Sequence, residues 1–303
     1  MKKVTKNPSQ RRRFFRIFLT GGIGLLASSK ILSGILKGPR REEKIKVLTP
    51  DGKLAEVLKS EMVPAASHPG AGIQEARKGI PGKKFVLVVD LARCRNARKC
   101  IESCAAHHYL SDDHPYIKVL KMQDNPRSSP YWMPKKCFQC DNPPCVKVCP
   151  VGATFKRSDN IVLIDNTRCI GCRFCMAACP YSARVFNWGE PKPEVEKSIC
   201  YSPETSVPAR KGTVEKCDFC PDMLRDNKLP HCVSACPNGT LFFGNALEDS
   251  VTNGSETFRL SKLLRDKAGY RYMEDLGTKP NVYYLPPVDR LFPFKDHGES
   301  KNS

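Results

Sequence analysis

The chain has 303 residues, with 50 Lys and Arg against 31 Asp and Glu, and 16 cysteines beside 25 prolines and 20 glycines. That length allows one large domain or two small ones, and the Pro, Gly and Cys content points to a loop-rich body of short elements that needs more than apolar packing to hold it. The formal charge of +19 is not evidence for nucleic-acid binding, because residues 1–46, with 13 Lys/Arg and 2 Asp/Glu, carry +11 of it and leave +8 for the other 257 residues.

In chain order, the first feature is QRRRFFR at 10–16, followed by the uncharged run Ile17 to Ser29, IFLTGGIGLLASS. A basic start, the pair Arg11-Arg12, Phe14-Phe15 and a modestly apolar stretch resemble a twin-arginine export signal. Thirteen residues interrupted by Lys30 are too short to span a hydrocarbon core of about 30 Å. Residues 1–36 are therefore assigned as this signal, which is either cleaved near Ala27-Ser28-Ser29 or kept as an anchor. Residues 37–82 lack sustained periodicity and read as a linker with one short helix near 52–60.

Cysteines dominate the next segment. Cys94, Cys100 and Cys104 follow VVDLARC, with Ala97 where a C-x2-C-x2-C-x3-C pattern would place a cysteine. Cys137, Cys140, Cys145 and Cys149 form a second group, Cys169, Cys172, Cys175 and Cys179 a third, and Cys217, Cys220, Cys232 and Cys236 a fourth; each of these three ends in Cys-Pro. Only Cys200, in the connection 189–216, stands outside. VVDLARC (88–94) repeats as LIDNTRC (163–169), and the exits CPVGATF, CPYSARVF and CPNGTLFF also match, so the recurring unit is strand, cysteine loop, short turn, strand. Thr154 to Asp165 reads as a hairpin turning at Ser158-Asp159-Asn160. Beyond it, 258–277 reads as helix or helix-turn and 279–294 as an extended Pro/aromatic arm. The arm would either wrap a partner or cover part of the cysteine-rich body. Trp132 and Trp188 read as packing residues, and Arg93 and Arg168 as partners of Asp90 and Asp165.

Three closely spaced thiolates can wrap three corners of an iron–sulfur cubane while the fourth, carried off by the Cys-Pro turn, serves another cluster. Zinc sites usually present two separated cysteine pairs, and a disulfide scaffold would have to form after folding in a reducing compartment. Iron–sulfur clusters are the reading that fits. Four clusters of about −2 each would also roughly cancel the residual +8. The chain shows no convincing nucleophile–base pair, no G-x-G-x-x-G beside a strand and no P-loop, so it is not read as a catalyst on its own.

On these motifs, residues 84–244 resemble the four-cluster ferredoxin-like electron-transfer subunits of membrane-associated respiratory oxidoreductases. That group includes the iron–sulfur subunits of polysulfide, thiosulfate, dimethyl sulfoxide and tetrathionate reductases, of formate dehydrogenase, and of sulfite-reduction-linked membrane complexes. The resemblance implies an α+β fold of two pseudo-symmetric bacterial-ferredoxin-like halves (83–244) with loop-rich insertions and a C-terminal, partner-contacting extension (245–303). It pairs the first cysteine group with the last and the second with the third. One [4Fe-4S] cluster would take Cys137, Cys140, Cys145 and Cys179; a second Cys169, Cys172, Cys175 and Cys149; a third Cys217, Cys220, Cys232 and Cys104. Cys94, Cys100 and Cys236 remain, for a [3Fe-4S] cluster, a [4Fe-4S] cluster with a substitute ligand (Cys200, His107 or His108), or a degenerate site. The implied role is single-electron relay between an integral-membrane quinone-interacting subunit and a molybdopterin or multihaem cytochrome partner, after export to the periplasm. The competing role is a free-standing periplasmic polyferredoxin.

Overall fold

The computed structural model describes residues 44–48, 54–58, 73–111, 113–190 and 201–289. The signal region 1–36, Cys200 and residues 290–303 lie outside them. The chain forms two compact units, Met1–Val63 and Pro64–Ser303. In the first unit, β1 (Lys44–Leu48) and β2 (Leu54–Leu58) form an antiparallel hairpin. The short helix expected near 52–60 is therefore a strand. Leu54, Val57 and Leu58 do have helical spacing, but a five-residue segment gains more from pairing with KIKVL than one helical turn provides.

The second unit is organised by strands that lead into and out of the cysteine loops. The entry strands are β3 (Phe85–Asp90), β5 (Tyr131–Lys135), β7 (Val162–Ile164) and β9 (Val214–Glu215). The exit strands are β4 (Lys118–Met122), β6 (Thr154–Lys156), β8 (Val185–Phe186) and β10 (Leu241–Asn245). Each exit strand pairs antiparallel with the entry strand of the next loop: β4 with β5, β6 with β7, β8 with β9. The last exit strand, β10, returns to pair with the first entry strand, β3, so the four loops lie on a closed cycle of strand pairs. The β6–β7 hairpin turns as the sequence predicts, with Asn160 left-handed at φ 72°.

β3 is the centre of a six-stranded sheet ordered β12-β11-β10-β3-β14-β13, completed by β11 (Ser250–Thr252), β12 (Thr257–Arg259), β13 (Tyr270–Arg271) and β14 (Val282–Leu285). Its six residues FVLVVD are all buried, as an unalternating apolar run of five residues requires when both faces are covered. Leu87 and Val89 face the main core with Phe138, Phe219, Phe243 and Tyr284. Val86 and Val88 face the opposite way, onto Leu260 and Leu263 of a helix, Leu260–Asp266, that follows β12. Gly244 lets β10 and β11 approach, because a Cβ there would lie 1.9 Å from the Ser250 carbonyl oxygen.

The segment 258–277 is thus strand, short helix, strand and a 3-10 turn at Glu274–Leu276. The extended arm enters the sheet as β14, parallel to β3, with Tyr284 fully buried. Its strand residues Val282, Tyr284 and Leu285 pack into the cores of the cysteine-rich body. Among the described residues no helix is long and apolar enough to cross a membrane.

Candidate metal centres

Each cysteine loop turns back on itself through a left-handed residue two positions after its first cysteine: Asn96 (φ 55°), Gln139 (46°), Gly171 (70°) and Phe219 (70°). Three of these are not glycine and cost backbone strain. Their recurrence at one offset says that all four loops need the same curl. The Cys-Pro exits share a second one, with Gly152, Ser182 and Gly239 at positive φ three residues beyond Cys149, Cys179 and Cys236. These turns aim backbone amides at sulfur: Thr154 N–H donates to Cys149 Sγ and Thr240 N–H to Cys236 Sγ, each at 3.4 Å.

Three cavities are lined by these loops. Cys137, Cys140, Cys145 and Cys179 line one of about 360 Å³, walled by Phe138, Tyr181 and Arg184. Cys149, Cys169, Cys172 and Cys175 line one of about 310 Å³, beside Ile164 and Val214. Cys94, Cys100 and Cys236 line one of about 340 Å³ together with Ala97. Ala97 lines it, so the position where a fourth thiol is absent faces the same space as the three thiols. The remaining thiols, Cys104, Cys217, Cys220 and Cys232, are all buried and interact electrostatically with one another. Fifteen cysteines are thereby gathered as four, four, four and three, and all fifteen are free thiols.

The three-thiol cavity holds no histidine and no carboxylate among its described walls; Arg95, Arg98, Lys99, Asn96 and Asn238 surround it instead. His107 and His108 do not supply a substitute ligand there. His107 stacks on His231 with ring centroids 3.3 Å apart. His108 faces Cys220 Sγ at 3.7 Å and Asp218 Oδ1 at 3.6 Å. Cys200 lies outside the described residues.

Burial raises most of the thiols: Cys94 to about 11, where the Asn96 amide opposes the rise, and Cys100, Cys140 and Cys217 to about 12. Cys149 moves the other way; the amides of Thr154, Val151 and Ala153 overcome its burial and hold the thiol below its ordinary value. Two buried cations face these sulfurs, while a third, Lys216, donates to the Val162 and Cys217 carbonyl oxygens instead. Lys136 Nζ donates to Cys232 Sγ at 3.2 Å, and burial alone would lower its pKa, yet the facing Cys232 and Cys217 hold it above its ordinary value. Arg184 is likewise buried, opposed by burial and raised by Cys145 and Cys175.

Among the described residues neither cation has a carboxylate within 4.0 Å. A buried charge without a counter-charge is unfavourable by several kcal/mol. Thiolates held by metal would supply that counter-charge, whereas neutral thiols would not. The donor set therefore fits iron–sulfur clusters, which are ligated by thiolate.

The sequence pattern alone did not single out Lys136, Arg184, Asp218 or Glu215. Lys136 had a visible cue in its position directly before Cys137, and Arg184 in its place within the repeated Cys-Pro exit. Arg93 does pair with Asp90, Nε to Oδ2 at 3.2 Å. Arg168 forms no ion pair with Asp165 among the described residues, its amide instead donating to the Asp165 carbonyl at 3.1 Å, and the Asp165 carboxylate accepts from Thr167 and Tyr201 and lies 3.9 Å from Arg77 Nη1. Trp132 is buried; Trp188 is 61% exposed and packs on Phe186 and under Arg173.

Residues 129–202 match the family model described as a 4Fe-4S dicluster domain. Over 302 residues, covering 93% of this chain and 99% of the relative, the chain is 33% identical to a selenate reductase subunit of Mesobacillus selenatarsenatis. It is 37% identical to the iron-sulfur cluster-binding subunit of menaquinone reductase of Nitratidesulfovibrio vulgaris, over 67% of this chain and 88% of that one. Against a tetrathionate reductase subunit of Salmonella typhimurium it is 33% identical, over 75% of this chain and 82% of the relative.

Proposed function

Because the chain belongs to the family of ferredoxin-like iron–sulfur subunits of respiratory oxidoreductases, in which it is an electron-transfer rather than a catalytic subunit, we propose that it relays single electrons between an integral-membrane quinone-interacting subunit and a second redox partner, a molybdopterin enzyme or multihaem cytochrome. The observation that carries this reading is the gathering of fifteen thiols into four groups on one cycle of strand pairs. The cycle also supports two pseudo-symmetric halves, the first cysteine loop with the last and the second with the third. The twin-arginine signal in residues 1–36 supports export and a periplasmic location.

In this proposal Cys137, Cys140, Cys145 and Cys179 hold one [4Fe-4S] cluster, Cys149, Cys169, Cys172 and Cys175 a second, and Cys104, Cys217, Cys220 and Cys232 a third. Cys94, Cys100 and Cys236 hold a [3Fe-4S] or otherwise atypical cluster. Such clusters take up and release one electron with little change in shape. The chain's own work is to fix the sites relative to one another, bury six of the fifteen thiols and direct amides at sulfur. Cys172 is the one exposed thiol of the fifteen, and Ile170, Phe174 and Trp188 are exposed near it. That supports the Cys149 site as a terminal one facing a partner.

Anaerobic purification with iron and sulfide analysis tests the reading. About fifteen iron atoms per chain, a brown colour and co-purification with a membrane subunit are expected. A colourless protein without sulfide would refute the cluster assignment, and a soluble monomer after a salt wash would favour the free-standing carrier.

A further inference from the structure

Lys136 and Arg184 are buried cations facing the thiols, each placed at one site by contact and acting electrostatically on a second. Lys136 acts on Cys100 of the three-thiol site and on Cys104, Cys217 and Cys220 of its neighbour, while donating directly to Cys232. Arg184 lines the Cys137 cavity and reaches Cys145 there, and it also acts on Cys175 of the adjoining Cys149 site. Its Nη1 also donates to Thr154 Oγ1 at 3.4 Å. Both residues are 5% exposed. Packing has other ways to fill such positions, and a neutral side chain would avoid the desolvation cost.

We propose that Lys136 and Arg184 are potential-setting residues, each a fixed positive charge shared by two neighbouring cluster sites, Lys136 for the Cys94 and Cys104 sites and Arg184 for the Cys137 and Cys149 sites. The inference rests on the reading that these thiols hold iron–sulfur clusters. Reduction adds one electron to a site that is already negative, with no bond made or broken and no proton moved. A cation held beside the ligating sulfurs, in direct hydrogen-bond contact in the case of Lys136, stabilises the reduced state more than the oxidised one, and in a dry interior it is little screened. Sharing one charge between two sites raises both potentials together, which keeps neighbouring sites close in energy without tuning each separately. The role is one of charge and position, so a charge-retaining replacement preserves it.

The test uses the full-length, cluster-loaded protein, with iron and sulfide content measured first and midpoint potentials then read by EPR-monitored redox titration. Lys136→Met is expected to shift the titration of the three-thiol site and one four-iron wave, leaving the other two in place. Arg184→Met should shift those other two and leave the first pair. Each shift is at least tenfold in the oxidised-to-reduced ratio at fixed potential, about 59 mV for a one-electron step, toward the oxidised state. Lys136→Arg and Arg184→Lys should titrate as the parent does. Gln at either position carries the same test where Met leaves the protein without iron. Unchanged midpoints in neutral variants that keep their iron would overturn the proposal, as would shifts of equal size in the charge-retaining variants. Absence of iron and sulfide from the parent protein is a separate outcome that overturns the cluster reading instead.

Discussion

Restoring the absent thiol at position 97 is the most direct test of what the first cysteine loop does. Ala97 lines the same cavity as Cys94, Cys100 and Cys236, and it lies between two left-handed residues, Asn96 and Arg98, each at φ 55°. The loop curl that the other sites use is therefore already in place. Ala97 is exposed on the wall of that cavity, so Ala97→Cys adds one sulfur with no overpacking penalty expected. The expected result is one more iron per chain, from about 15 to about 16, with loss of the near-isotropic EPR signal of an oxidised three-iron cluster. The added thiolate is offset by the added iron, so what changes is the type of cluster rather than the net charge of the oxidised site. Cluster type sets the potential over several hundred millivolts, so the midpoint of this site is expected to shift by on the order of 100 mV. Iron analysis, EPR and redox titration read all three quantities. A variant that folds with its iron content and its EPR spectrum unchanged, and whose introduced thiol still reacts with an alkylating agent, would refute the assignment of this cavity as a cluster site short of one ligand.

Further expectations follow from the packing and the charges. Asp159 is fully buried and accepts from Arg157 Nη2 at 2.5 Å and from the Ile80 amide at 2.9 Å, while Arg157 Nη1 pairs with Glu204 at 2.6 Å; Asp159→Ala strands part of the guanidinium and should cost about 3–5 kcal/mol, read as a thermal midpoint lower by roughly 10 °C. Burial raises the Glu215 carboxyl from 4.5 to about 7, against hydrogen bonds from Tyr116 and Asn166. The folded state therefore binds more protons than the unfolded one in that window, and stability present below pH 4.5 is lost as pH rises through 7. Glu215→Gln should remove this slope, on the order of 3 kcal/mol across the window, in denaturant titrations at several pH values; an identical slope in the variant would count against it. Replacing Arg11 and Arg12 with Lys keeps the charge but removes the twin arginine, so cell fractionation should show the protein retained in the cytoplasm, and undiminished export would remove the signal assignment.

How far the sequence could be read depended on how local the determining interactions were. The four cysteine loops and the hairpin from Thr154 to Asp165 were legible because each is specified within about a dozen residues: thiols at short spacing, a polar turn, flanking β-branched runs. The strand at Leu54–Leu58 was not, since its apolar spacing suits a helix and only the pairing with Lys44–Leu48 selects the extended form. β14 gave no strand signal beyond Val-Tyr-Tyr-Leu among prolines, and its parallel place beside β3 joins residues nearly two hundred apart in sequence.

The chemistry was written into the amino-acid order. Cysteine groups that each carry three or four sulfurs, with a repeated Cys-Pro exit, already specify a thiolate-rich, metal-binding body whatever the fold. That Ala97 stands on the wall of the cavity its three thiols share, and that Lys136 and Arg184 lie buried among sulfurs from distant loops, were decided only in three dimensions. The physical reason is that spacing along the chain constrains a loop, whereas desolvation and charge depend on what the rest of the molecule brings against it.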